Sequence, residues 1–457
     1  MDLILILQFL ASCLPRITVT GDAALSAAAG DGGGDEDRIS ALPDELLCDV
    51  VSRLPVKDAV RTTALSHRWH RVWHSTPLVL HDAHVGLVDD EPARVAAIDR
   101  VFAGHPGPLH TVHLAMCFFH LYQRELAQWS RVLAAGSVRD LVLFRLPRNI
   151  DLDDLLGLPA DILCCAELER LCLGFWRFPD TSDLPDGAGV FPHLRELGII
   201  RSIMEDRDLD HMLASSPALE MLSLVAGCHL PKHIRLRSQS LRCAHFCMCK
   251  ALEITVLDAP HLERLIICHL ADTKASPSSI VPSVKILELM VNWGVFTEVQ
   301  ILASFLRCFP NIETLHLEYC MADKTTIECY TEFFDKLSPI ECVDSHAKHV
   351  VLHEFRGHQS EVTFVKYLCQ RATKLQKLTL VLPDEMPASS VSEIKDLLNV
   401  LAIPPWASKA CRVLLLGPRF QCDWSFHRLS DLSFDDPFLP VHGDEIFSYI
   451  KAAEQGG

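Results

Sequence analysis

A chain of 457 residues exceeds one compact core, so it reads as two or three domains, or as an elongated repeat array with an appendage. Its 59 acidic residues against 42 Lys and Arg give a formal charge of −17, a field that opposes phosphate backbones and anionic membranes. Nucleic acid and membrane are therefore not expected as partners. The 18 cysteines lie scattered in apolar segments with no C-x-x-C, which argues against zinc ribbons and redox motifs and for a reducing, intracellular setting, cytoplasm or nucleus.

Residues 1–36 read as a disordered leader and linker. The apolar run from Leu3 to Leu14 is too short to span a bilayer, and Asp2 stands where a signal peptide would carry positive charge. A secretory signal, a disordered leader and a mis-assigned start codon all remain open for it. Asp31 to Glu36, with three consecutive glycines, reads as a flexible linker.

Residues 37–80 read as a compact helical module. Leu42 and Pro43 open an amphipathic segment, and Asp44 and Glu45 suit the positive end of a helix. Leu46, Leu47, Val50, Val51 and Leu54 fall on one face at a period of 3.6, and Pro55 stops the run. Val56, Ala59, Val60 and Thr63 start a second helix; Leu65, Trp69, Val72 and Trp73 form the stripe of a third. Three helices in about forty residues enclose little core, so the apolar surplus predicts a docking surface.

These residues resemble the F-box, the motif by which substrate receptors attach to the Skp-type adaptor of an SCF ubiquitin ligase. The likeness rests on Arg38-Ile39-Ser40, Leu42 to Leu47, Leu54-Pro55, Ala59 to Thr62, Leu65-Ser66-x-Arg68-Trp69 and Val72-Trp73. The resemblance implies adaptor contacts at Leu42, Pro43, Leu46, Leu47, Val51, Leu54, Pro55, Leu65, Trp69 and Trp73.

Beyond His84 the chain repeats an apolar residue followed by x-x-L-x-L, and residues 81–340 read as one stacked repeat region. Strict copies run Leu168 to Leu173, Leu194 to Ile199, Leu219 to Leu224, Leu262 to Ile267, Val284 to Leu289 and Ile312 to Leu317. Looser copies stand at Leu109 to Leu114, Val138 to Leu143, Leu241 to Phe246, Ala347 to Leu352, Leu375 to Leu380 and Ala410 to Leu415. Between Leu171 and Leu197 the step is 26 residues, from Leu197 to Leu222 it is 25, from Leu265 to Leu287 it is 22, and from Leu287 to Leu315 it is 28. That spacing is the rhythm of leucine-rich repeats, whose units bury their apolar face only by stacking. Amphipathic stretches such as Asp208 to Ala214 and Val299 to Cys308 are expected to supply the outer layer. The residues between the leucines, among them Arg170, Glu196, Arg264, Glu288 and His316, are expected on the concave surface.

From 341 to 420 the pattern becomes strand, glycine turn, helix, strand. Phe355-Arg-Gly357 followed by Glu361-x-x-Phe364-x-Lys366-Tyr367-Leu368 resembles the FBD region found after F-box and leucine-rich repeats in plant proteins. It is expected to cap the open repeat end. Residues 421–457 read as a C-terminal tail. The fold class expected is α/β: an N-terminal three-helix F-box, an irregular leucine-rich-repeat solenoid and an FBD-like strand-helix-strand segment.

Candidate chemistry is sparse. His67, His70 and His74 share a helical face and read as its solvated side. Cys243, His245, Cys247 and Cys249 alternate onto one strand face as possible zinc ligands, although their place in a repeat favours core packing. Cys164 and Cys165 read as core residues, and the run Asp151, Asp153 and Asp154 as a loop or helix start. With no G-x-x-x-x-G-K-[ST], G-x-S-x-G or H-E-x-x-H motif, no catalytic residue, metal or cofactor is expected. The expected function is that of a non-catalytic substrate-recognition subunit, joined to the Skp-type adaptor and through it to a cullin, with the repeats holding an unknown protein substrate. The alternative is an interaction scaffold that assembles no ligase.

Overall fold

The structure, a computed structural model, describes residues 39, 41–85, 90–145, 155–183, 189–226, 230–249, 251–268, 274–275, 280–319, 331–383, 386–401, 406–417, 426–438 and 445–450. The leader, the glycine linker and the acidic run at Asp151 to Asp154 lie outside them. Two compact units are present, one within Leu14–Leu219 and one within Glu220–Gly457.

The first unit opens with helices α1 (Asp44–Ser52), α2 (Val56–Arg61) and α3 (His67–Ser75), with a 3-10 turn at Thr62–Ala64. Pro43 and Pro55 sit at the N-caps of α1 and α2, where a missing N–H costs nothing. Strand β1 (Leu78–His81), helix α4 (Glu91–Gly104), β2 (Leu109–Leu114), α5 (Gln123–Ala135), β3 (Asp140–Phe144), β4 (Arg170–Gly174), β5 (Glu196–Ile200) and α6 (Asp206–Ala214) follow. Asp90 caps α4 by accepting from the Ala93 amide at 3.0 Å. Strands β1 to β5 pair in chain order, all parallel.

The second unit holds β6 (Met221–Val225), β7 (His233–Arg237), β8 (Cys243–Cys247), β9 (Glu253–Asp258), β10 (Arg264–Cys268), β11 (Lys274–Ala275), β12 (Ile286–Val291), α7 (Phe296–Cys308) and β13 (Thr314–Tyr319). After these come α8 (Thr331–Lys336), α9 (Glu341–Ser345), β14 (His349–His353), α10 (Gln359–Arg371), β15 (Lys377–Val381), α11 (Ala388–Leu401), β16 (Arg412–Leu416), α12 (Phe426–Ser430) and β17 (Glu445–Ile450). The main ladder runs β6-β8-β10-β12-β13-β14-β15-β16, every step parallel, and β17 closes it antiparallel to β16.

All twelve copies of the phrase become strands. Register aligns Leu222, Ala244, Leu265, Leu287, Leu315, Val350, Leu378 and Val413 in one row, nearly all without solvent exposure. No single strand could bury such a row, and each buried leucine adds about 1.5–3 kcal/mol once its neighbours cover it. The stretches expected to form the outer layer are helical in α6 and α7.

Four expectations change. The residues between the leucines are not open surface: Cys172, Ser223, Arg264, Ile266, Glu288 and His316 are all buried, and Arg170 and Glu196 are half-buried. Of the Cys164–Cys165 pair only Cys165 is in the core, because the 3-10 turn Ala160–Cys164 leaves Cys164 exposed. The FBD-like segment does not end the ladder: β14, α10, β15 and β16 continue it, and β17 lies beyond. Residues 421–457 are not a mere tail, since α12 and β17 belong to the second unit and Leu429 and Phe438 are buried.

Candidate functional site

The opening module keeps a small core of its own. Leu47 and Val51 of α1, Val56 and Ala59 of α2, and Trp69, Val72 and Trp73 of α3 are buried. Arg68 fastens the Leu42–Pro43 corner to this core, its Nε donating to the Asp44 carboxylate at 2.7 Å and its Nη2 to the Leu42 carbonyl. Arg53 and Asp49 pair at 2.7 Å across one turn of α1, on the exposed side. The His105 ring lies edge-on to Trp73 at 4.6 Å and bonds the Thr76 carbonyl at 3.1 Å, so α3 is anchored to the end of α4.

Outside that core the module presents apolar side chains to solvent: Ile39 is 59% exposed, Leu46 51%, Val50 43%, Val60 42% and Leu65 66%. Five large apolar residues exposed within 27 positions make a denser apolar surface than the scattered exposure of an ordinary domain. The single stripe read on α1 is in fact two, Leu47/Val51 turned inward and Leu46/Val50 outward. The ten expected adaptor contacts divide in the same way. Leu42, Pro43, Leu46, Leu54, Pro55 and Leu65 are exposed or half-buried; Leu47, Val51, Trp69 and Trp73 are inside and support the face without offering area to a partner. Val50, Val60 and Ile39 belong with the exposed set and were missed; their outward position follows only from knowing which stripe the core takes.

A cavity of about 800 Å³ lies between α2 and α4, walled by Val56, Val60, Trp73, Ala97 and Val101, with Lys57, Arg61 and Arg100 at its polar edge. The exposed His67, His70 and His74 lie on the solvated side of α3, the His70 and His74 rings 4.3 Å apart.

On the β-ladders the face between the leucines carries buried polar chemistry. In the first unit, Arg170 bridges Asp140 at 2.9 Å and Glu196 at 2.7 Å along one register row, and His113 meets Asp140 at 3.2 Å. Burial opposes the charged Asp140 carboxylate, but the His113 and Arg170 contacts outweigh it and hold its pKa below the usual range. In the second unit His245, Cys247 and Cys268 bring their ligand atoms within 4.8 Å of one another. This differs from the expected quartet: Cys268 of β10 joins across the register, whereas Cys249 donates to the Leu224 and Cys247 carbonyls. His245 Nδ1 is held by the Ser223 hydroxyl at 2.9 Å. Contact with Cys247, and after it burial, push the pKa of the Cys268 thiol well above the ordinary value. Further along, His316 bonds Asp436 at 3.0 Å and His353 at 3.1 Å, and Arg264 donates to carbonyls of residues 429, 431 and 434.

At Gly357 the backbone is left-handed (φ +74°), and a Cβ there would sit 3.1 Å from Ile394, which explains the glycine in the F-x-G motif. Glu361, in the first turn of α10, closes a capping box with His358.

Family profiles match three parts of the chain. The F-box domain profile covers residues 39–81, the profile described as FBD-associated F-box protein At5g56370, LRR repeats, covers 126–272 and 268–317, and the FBD profile covers 335–380. Three Arabidopsis thaliana proteins are similar along the chain. F-box/LRR-repeat protein At3g26922 is 31% identical over 43% of this chain and 61% of its own length. F-box/FBD/LRR-repeat protein At1g13570 is 28% identical over 42% of this chain and 45% of its own length. F-box/LRR-repeat protein 13 is 25% identical over 84% of this chain and 97% of its own length. The match therefore spans less than two thirds of the first two relatives and nearly all of the third. Among the described residues, no helix is long and apolar enough to cross a membrane.

Proposed function

We propose, from the premise that this chain belongs to the F-box/FBD/leucine-rich-repeat family of plant proteins, that it is the substrate-recognition subunit of an SCF-type ubiquitin ligase. The F-box docks to the Skp-type adaptor, the cullin joins through that adaptor, and the repeats hold a protein substrate. The observation that carries this reading is the exposed set Ile39, Leu46, Val50, Val60 and Leu65 on a module whose own core is already filled. A face of that kind gains free energy only by being covered, and a helical adaptor supplies the cover. The chain needs no catalytic group for this role. Tethering the substrate near a ubiquitin-charged enzyme raises the effective concentration, and the transfer chemistry belongs to other subunits. Such a complex would work inside the cell, which fits the many cysteines left as thiols.

The test is capture of a Skp-type adaptor and cullin by the full chain. Apolar anchors at the centre of an interface cost about 2 kcal/mol or more when cut to alanine, roughly thirtyfold in affinity. Leu42→Ala with Pro43→Ala should eliminate adaptor and cullin recovery while substrate capture persists or rises. Adaptor recovered at wild-type levels with the double variant would overturn the docking assignment. Adaptor bound without cullin would instead favour a scaffold that assembles no ligase.

A further inference from the structure

The face between the leucines in the second unit, where a repeat receptor would hold its substrate, is covered by the chain's own residues 426–438. Arg264 Nη1 donates to the Leu429 carbonyl at 3.4 Å and the Asp431 carbonyl at 3.2 Å, and Nη2 donates to the Phe434 carbonyl. His316 Nε2 meets the Asp436 carboxylate at 3.0 Å, and the Phe438 ring lies 4.6 Å from the His316 ring. Leu429 and Phe438 anchor the two ends of the segment in the core, while Ser433 to Asp435 between them stay exposed.

Charge accounts for the fit. Register places Arg264, Ile286, Thr314, His349, Lys377 and Arg412 in one row, so four of its six side chains carry or can carry positive charge. The segment laid along this face holds three aspartates, Asp431, Asp435 and Asp436, against one arginine. Of the three, Asp436 meets the face directly at His316, and so short and buried a contact is little screened. The match at Arg264 is incomplete. Its guanidinium is buried, yet its three acceptors are neutral carbonyls, and among the described residues it has no carboxylate partner. A carboxylate there would make a charge-assisted, two-pronged bond that the resident segment does not supply.

We propose that residues 426–438 are a resident stand-in for the substrate, and that this face takes an extended acidic segment of a second protein, which must displace them. Arg264 receives a substrate carboxylate, and His316 receives a second acid in the place of Asp436. The inference rests on the receptor reading above and names the class of chain such a receptor holds. It also means that the face is closed until a segment with a better-placed acid arrives.

The test uses the full chain bound to its adaptor and a heavy-isotope peptide of sequence 426–438. In the unmodified chain, excess peptide should raise hydrogen exchange of the resident segment while β10 and β13 stay protected. Asp436→Asn with Phe438→Ala should loosen the resident segment and tighten peptide binding by about tenfold or more, and Arg264→Gln added to that chain should remove the gain. If the double variant does not melt cooperatively, the exchange measurement on the unmodified chain decides alone. No rise in exchange at millimolar peptide would overturn displacement, and equal binding of a peptide with its three aspartates changed to asparagine would overturn the acidic class. Adaptor capture is measured in every arm. Its loss would count against the receptor reading, whereas its retention with no peptide effect would count against this inference alone.

Discussion

Leu46 and Leu47 are adjacent in sequence and opposite in environment, one half exposed and the other fully covered. Leu47→Ala opens a void in a core with few other members and should cost about 2–5 kcal/mol in denaturant unfolding. Leu46→Ala should change stability by no more than about 0.5 kcal/mol yet weaken titration with a Skp-type adaptor. The reverse pattern would mean that α1 sits the other way round. Glu361 gives a second contrast, in pH. Burial pushes its carboxyl up to about 7, although the His358 amide at 2.7 Å and the Arg356 amide pull the other way. A folded pKa above the unfolded one means that the native state holds the extra proton, so this contribution is full below about pH 4.5 and is lost as pH rises through about 7. Glu361→Gln keeps an acceptor and cannot ionise. Its stability should lack that loss and exceed the parent's at about pH 8; parallel curves for the two proteins would reject the assignment. Both residues stand in motifs of the sequence, but only the environment of the first can be read there. Leu46 stands in an apolar pattern, whereas the burial of Glu361 depends on what α10 packs against.

At the scale of the element, the repeat phrase was legible because its leucines recur with a strand's alternation, and each copy became a strand of the ladder. The five strands β4, β5, β6, β8 and β14 are followed at once by a left-handed residue: Phe175, Arg201, Ala226, Met248 and Glu354. None is glycine or asparagine, so no composition signal announces these turns, and each costs on the order of 1–2 kcal/mol that the stacked rows must offset. The three-stranded parallel sheet β11-β9-β7 also escaped notice. Its best trace is the alternation of His233 to Arg237, with Ile234 and Leu236 turned inward, a five-residue pattern too short to stand out. β17 could not be foreseen from repeats because it runs against them. Truncation after Val343 removes β14 to β17 together with α10 and leaves β13 as an unpaired parallel edge. We expect that protein to aggregate in size-exclusion chromatography while its F-box still captures adaptor. A monodisperse product with unchanged melting would show that the later strands do not protect β13.

Across the whole molecule, 13 cysteines fall among the described residues, all as thiols, and 11 of them are buried. Burial drives the thiols of Cys165, Cys243, Cys342 and Cys411 up to about 12, so they are neither exposed nor ionised near neutral pH. Among the described cysteines, native alkylation followed by mass spectrometry should label Cys164 first and Cys48 next, and reach the other 11 only after unfolding. Rapid native labelling of Cys172 or Cys243 would mean that the ladder opens locally. The closed face of the second unit has a further consequence, in time. Arg264 leaves the ribosome 165 residues ahead of Leu429, the first residue whose carbonyl it binds. At about 5–20 residues per second, a chain under synthesis spends about ten to thirty seconds with Arg264, the first member of its basic row, waiting for these acceptors. During that interval the nascent protein offers acidic neighbours a site that the finished one has already filled, so the order of translation decides which of them can reach it unopposed.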